Sequence, residues 1–239
     1  MKYRGLDART RPLRWGLYAL ALAAIVAITG PGAMRAVNAW LSTEADKVPW
    51  YATRLFGMLA YWALALSVAY GLLLSSKLLD AIAHRAVSLT LHQDLAAIGL
   101  ALSLVHGAVL SLDHTVPYDL AQMLIPFAGP YRPIWVGVGQ VAFYVSAAVY
   151  FSFNVRRRIG QRAWRTLHYA TFLAYLGATA HGLMSGTDTS EPWAFWSYVG
   201  SGLAIAFLFA YRISASLVER WRPPVRRTPR QLPIGGETP

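Results

Sequence analysis

The chain has 239 residues, of which 56% are hydrophobic and only 14% charged, and it carries a formal net charge of +11. A soluble domain holds about 25% charged residues, so this composition excludes an ordinary water-soluble globule. The absence of cysteine excludes disulfides, cysteine-ligated iron–sulfur clusters, c-type haem attachment and thiol nucleophiles.

The apolar residues fall in uncharged runs of about 20, the length that crosses roughly 30 Å of hydrocarbon. Residues 1–14 form a basic, polar amino terminus. The run that begins at Trp15 is too long for a signal peptide, and no small-residue cleavage site follows it. It is read as a first span over 15–37, with Gly30-Pro31-Gly32 as a kink or early end. Residues 38–49 are a loop, and a second span runs over 50–75. A short loop, 77–85, leads to a third span over 88–112. Residues 113–133 are rich enough in proline and glycine to exclude a continuous helix. A fourth span covers 134–154, and a basic loop, NVRRRIGQRAWR, leads to a fifth over 165–185. The acidic loop GTDTSEP precedes a sixth span over 193–217. The tail, 218–239, has no apolar period and reads as disordered. The expected fold class is therefore all-α: a six-helix membrane bundle over 15–217 between two polar ends.

The charges orient this bundle. The amino terminus, loops 77–85 and 155–165 and the carboxyl-terminal end fall on one side and hold 18 of the 22 Lys and Arg residues. The other side holds Arg35, Lys47, Arg54 and Arg132, with the acidic residues Glu44, Asp46, Asp113, Asp119, Asp188 and Glu191. Basic residues stay cytoplasmic, so both termini are expected inside a cell (inner or plasma) membrane. The positive charge is thereby assigned to lipid, and no nucleic-acid partner is expected. Trp15, Trp40, Trp50, Trp135, Trp164 and Trp193 sit near span ends, as interface aromatics do.

Four histidines lie inside this frame. His92 and His106 are 14 residues apart on the third span, and His168 and His181 are 13 apart on the fifth. At about 1.5 Å per residue both separations are close to 20 Å, so the two helices carry histidines at matched depths. Paired neutral imidazoles suit the two axial positions of a haem iron and leave it fitted to electron transfer. The expectation is two b-type haems, an inner one held by His92 and His168 and an outer one by His106 and His181, with no separate catalytic residue. The azimuths fit less simply. Fourteen residues return to within about 40° of the same face, whereas thirteen leave His168 and His181 about 140° apart on an ideal helix. Either the fifth span is deformed, with Gly177 as one place for it, or its two histidines approach from different sides. The bland alternative is four histidines buried for packing or polar bridging between helices. Ionisable groups within spans are costly and usually functional, and matched depths are not required for packing.

Other residues are read more simply. His84 and His114 fall in loops beside Arg85 and Asp113 and read as solvated. Asp94 either hydrogen-bonds near the inner haem or reaches the interface. Arg156, Arg157, Arg158, Arg162 and Arg165 are a positive-inside signal, a dock for an acidic partner or counter-charges to inner haem carboxylates; Arg54 and Arg132 could serve the outer ones. Gly99, Ala101, Ser103 and Gly107 either admit a flat macrocycle or allow close helix packing.

The two histidine pairs, in this order on six spans, resemble the ferric reductase-like transmembrane domain family. That family includes NADPH oxidases, iron and copper reductases and the haem subunit of the bacterial methionine-sulfoxide reductase system. The segment 163–182, AWRTLHYATFLAYLGATAHG, is similar to the family's fifth helix, and the resemblance covers roughly residues 50–215. It implies two haems and electron flow from the cytoplasmic to the outer face. Family reductases often continue into a flavin- and nicotinamide-binding module; here about 22 polar residues follow the sixth span, without a glycine-rich dinucleotide fingerprint. The expected donor is thus a separate cytoplasmic flavoprotein reductase or quinol, with flavin only on that partner or at the cytoplasmic surface. The expected acceptor is ferric iron or a periplasmic protein. Leu110 occupies the position at which NADPH oxidases carry a further histidine, so superoxide production is not expected. The methionine-sulfoxide reductase subunit typically lacks the ligand that His92 supplies. Two other readings are a quinol-linked respiratory cytochrome b and, in another class, a haem-free transporter or scaffold.

Overall fold

The structure is a computed structural model and describes residues 47–80, 84–112 and 116–221. The expected first span, His114 and most of the polar tail lie outside the described residues. Among the described residues every element is helical: α1 (Val48–Ser75), α2 (Arg85–Val109, ending in a 3-10 turn Leu110–Leu112), α3 (Leu120–Leu124), α4 (Pro133–Ile159), α5 (Gln161–His168), α6 (Ala170–Ser185) and α7 (Pro192–Trp221). Four of these stretches are long and apolar enough to cross a membrane: Val48–Ser75, Arg85–Leu112, Pro133–Ile159 and Pro192–Val218. That is the make-up of a multi-pass membrane protein.

Local chemistry sets the ends. Proline in the first turn starts α1 and α4, where its missing N–H costs nothing. The stretch expected as a loop over 113–133 contains one ordered turn, α3. It is started by a capping box in which the Gln122 amide donates to Asp119 Oδ1 at 2.7 Å and the Asp119 amide to Gln122 Oε1 at 3.1 Å. The basic stretch expected as a loop is helix on both sides of a single break. α4 continues through Arg156, Arg157 and Arg158, whose charges oppose the negative end of its dipole. It stops at Gly160, whose φ of 84° suits glycine. α5 starts at once.

The expected fifth span is two helices. α5 ends at His168 and α6 begins at Ala170. At the join the Tyr169 amide donates to Thr166 O and the Phe172 amide to Tyr169 O, the shorter three-residue pattern of a tightened turn. α6 runs unbroken through Gly177, so the deformation lies at Tyr169. Gly177 instead brings α6 close to α4, with Ala142 Cβ 3.1 Å from where its own Cβ would stand. α7 extends beyond the expected end of the sixth span, to Trp221.

α1 packs most extensively along α2, and α4 along α6, with α7 closing against α1. The core lies between α1, α6 and α7 and contains Tyr61, Val68, Leu72, Tyr175, Tyr198 and Ile205. Its polar atoms are paired there: Tyr61 Oη lies 2.7 Å from Ser201 Oγ and 3.1 Å from Tyr175 Oη. Leu104, Leu173, Leu203 and Phe207 point outward and stay exposed, as suits hydrocarbon solvent and not water.

Candidate functional site

A cavity of about 1370 Å³ runs through the bundle and is lined by all four histidines. A single small-molecule pocket is about 300–1,000 Å³, so this one exceeds the usual single-ligand size. The histidines meet across it in two pairs. The ring centroids of His92 and His168 are 6.0 Å apart at an interplanar angle of 69°, and those of His106 and His181 are 6.1 Å apart at 77°. The pairs are those expected from depth. The break at Tyr169 accounts for the azimuth: His168 and His181 belong to different helices, so the ideal-helix angle between them does not apply.

Three of the rings are held in one and the same way. His106 Nδ1 lies 2.7 Å from Thr53 O, His92 Nδ1 2.8 Å from Ser67 O, and His181 Nδ1 3.0 Å from Trp135 O. A carbonyl only accepts, so each Nδ1 carries the proton and each Nε2 keeps its lone pair. Four residues beyond each carbonyl stands a glycine on which the ring rests. A Cβ at Gly57 would come within 2.8 Å of His106 Nδ1, one at Gly71 within 3.3 Å of His92 Cε1, and one at Gly139 within 2.6 Å of His181 Nδ1. The glycine opens a notch in the helix surface, and the ring enters it to reach a carbonyl one turn back. On α1 the two notches are 14 residues apart, Thr53-x3-Gly57 and Ser67-x3-Gly71, the same step as His92 to His106 on the antiparallel α2. Ser67 adds a bond from its hydroxyl to His92 O at 3.1 Å.

His168 is held differently. Its Nδ1 is buried and has no protein partner. The ring stacks on Trp164, one turn earlier, with centroids 5.1 Å apart and planes 29° apart. Trp164 Nε1 is also buried without a partner, and its ring meets Phe153 edge-on. An unsatisfied buried donor costs about 1–3 kcal/mol, so α5 carries two such costs. The His168 carbonyl, by contrast, accepts from Thr171 Oγ1 at 2.9 Å.

Two imidazoles bound to opposite sides of one metal, with metal–nitrogen bonds of about 2.0 Å and a ring radius of about 1.1 Å, have centroids about 6.3 Å apart. Both pairs stand near that separation. Among the described residues no group of three or more His, Asp or Glu side chains could hold a bare metal ion. Two imidazoles per level do not make a protein-only metal site, but they do suit a group that brings its own equatorial ligands, as haem does.

The remaining expected residues divide. Of the basic stretch only Arg165 lines the cavity; Lys77, Arg85 and Arg212, not singled out in the sequence, line it too. Arg85 also reaches Asp80 Oδ1 at 3.4 Å. At the opposite end Arg54 lines the cavity and forms a two-point ion pair with Asp188, with its guanidinium 4.0 Å from the Trp50 ring centre. Arg132 turns away to the Met184 carbonyl. Asp94 and Leu110 line the cavity, whereas His84 is exposed at the start of α2. The small residues of α2 serve both uses: Gly99 packs against Ala63 and Leu64, and Gly107 has open space before it on the cavity wall.

No family model, curated protein or solved structure matches the chain.

Proposed function

We propose that this chain is a membrane electron-transfer subunit that holds two b-type haems at two depths, with His92 and His168 as axial ligands of the inner one and His106 and His181 of the outer one. The observation that carries the reading is the pair of imidazole separations, 6.0 and 6.1 Å, on opposite walls of one long cavity. The Nδ1–carbonyl bonds support it, because such bonds orient histidines that ligate metal through Nε2. When bound, the haems supply one-electron chemistry; the chain's own residues ligate, orient and exclude water. The ferric reductase-like resemblance supplies the family, the six-span count with both termini cytoplasmic and the direction from inside to outside. Lys77, Arg85, Arg165 and Arg212 at the His92 end are suited to carboxylates of the inner haem. The donor is a separate cytoplasmic flavoprotein or quinol, and the acceptor is ferric iron or a periplasmic protein at the outer face.

The test is a dithionite-reduced minus oxidised visible spectrum of the detergent-purified chain, with a pyridine haemochromogen assay for haem per chain. The expected result is about two b-type haems per chain. A chain that stays colourless after expression with ample haem overturns the reading and puts a haem-free transporter or scaffold in its place.

A further inference from the structure

The four histidines are not equivalent, and the difference is confined to α5. This helix has eight residues, with Gly160 at a positive φ before it and the tightened turn at Tyr169 after it. Among its residues only Trp164 and His168 are not exposed. They are one turn apart and stack on each other, and they are the two side chains with an unpaired buried nitrogen. The other three histidines sit on α2 and α6, each bonded to the backbone of a neighbouring long helix and seated on a glycine. Moving α5 outward would break no bond to His168 Nδ1 and would let both nitrogens reach water or headgroups. Moving His106 or His181 would break a carbonyl bond and leave an acceptor behind.

We infer that His168 is the exchangeable ligand: the inner level opens by movement of α5 and admits a small neutral ligand in place of the His168 imidazole, while the outer level stays closed. This rests on the haem reading above. In the exchange the bond from iron to His168 Nε2 breaks and one to the incoming donor atom forms, with no electron or proton transferred. His92, locked by Ser67, remains as the opposite ligand. Trp164 is a positioning residue, because it acts through the ring it supports.

The experiment uses the full chain purified with its haems, reduced with dithionite and mixed with carbon monoxide. The haem assay comes first on the same sample, so a haem-free chain overturns the functional reading before any gas is added. With two haems present, carbon monoxide is expected to shift the Soret band of half of the haem. In Trp164→Leu the rate of that shift is expected to rise at least several-fold with the amplitude unchanged. A shift of all the haem, or of none, overturns the inference. So does a half-shift whose rate is indifferent to Trp164→Leu, since that places the open position at the outer level. Hydrogen exchange gives a readout that needs no gas: the amides of 161–168 should exchange at least ten-fold faster than those of 176–185, and equal protection overturns the movement of α5.

Discussion

The two histidine levels are built from the same residue type at the same separation, yet by different means. The His106–His181 level is clamped from both sides: each ring enters a glycine notch and donates to a backbone carbonyl, one on α1 and one on α4. The His92–His168 level is clamped from one side only. His92 has its notch at Ser67 and Gly71, whereas His168 leans on Trp164 at the end of a short helix. The comparison teaches that equal ligand spacing does not imply equal ligand holding. What distinguishes the levels is the backbone behind the rings.

The largest effect that would break this comparison is loss of one level. His181→Ala is expected to lower the haem content from about two per chain to about one, as read by the haemochromogen assay. Retention of both haems would remove His181 from the ligand set. Gly139→Leu tests the notch without touching a ligand. Its side chain would occupy the space of the His181 ring, whose atoms already lie 2.6 Å from a Cβ there, and it should reproduce most of the His181→Ala loss. The α1 pair grades the effect more finely. Gly57→Ala places a Cβ 2.8 Å from His106, and Gly71→Ala places one 3.3 Å from His92. Gly57→Ala should therefore weaken outer haem retention on the order of 10-fold, as changes behind a ligand do, with Gly71→Ala clearly milder. An inverted order in haem-loss kinetics would refute the notch account. The smallest expected effect lies outside both levels. Tyr61→Phe removes the hydroxyl that joins Ser201 and Tyr175 in the α1–α6–α7 core. It should cost about 0.5–1.5 kcal/mol, seen as a lower thermal midpoint with haem content unchanged.

Much of this arrangement is legible in the amino-acid sequence. Hydropathy finds the spans, and the matched steps of 14 and 13 residues pair the histidines by depth before any fold is known. The break in the fifth span is not legible. Tyr169 carries no glycine or proline signal, and its backbone stays near helical values at φ −63° and ψ −18°; only the change in hydrogen-bond length divides the helix. Gly160 was readable as a stop, but the arginines before it suggested loop where they in fact finish α4. The capping box at Asp119 and Gln122 was present and passed over inside a proline-rich stretch. The notches were also present, as Thr53-x3-Gly57 and Ser67-x3-Gly71 in the same 14-residue step as the histidines. A glycine in an apolar helix has many uses, and nothing marks this one until the opposing ring is in place.

The notch has a consequence for how such a chain can drift over generations. What receives each histidine proton is a main-chain oxygen, supplied here by a threonine, a serine and a tryptophan. Substitution at those three positions leaves the acceptor in place, so their identities are free to wander. The glycine one turn further on has no such freedom. A descendant of this protein could lose nearly all resemblance along α1 and still keep its ligands aligned, provided two small gaps 14 residues apart persist opposite two histidines with the same step.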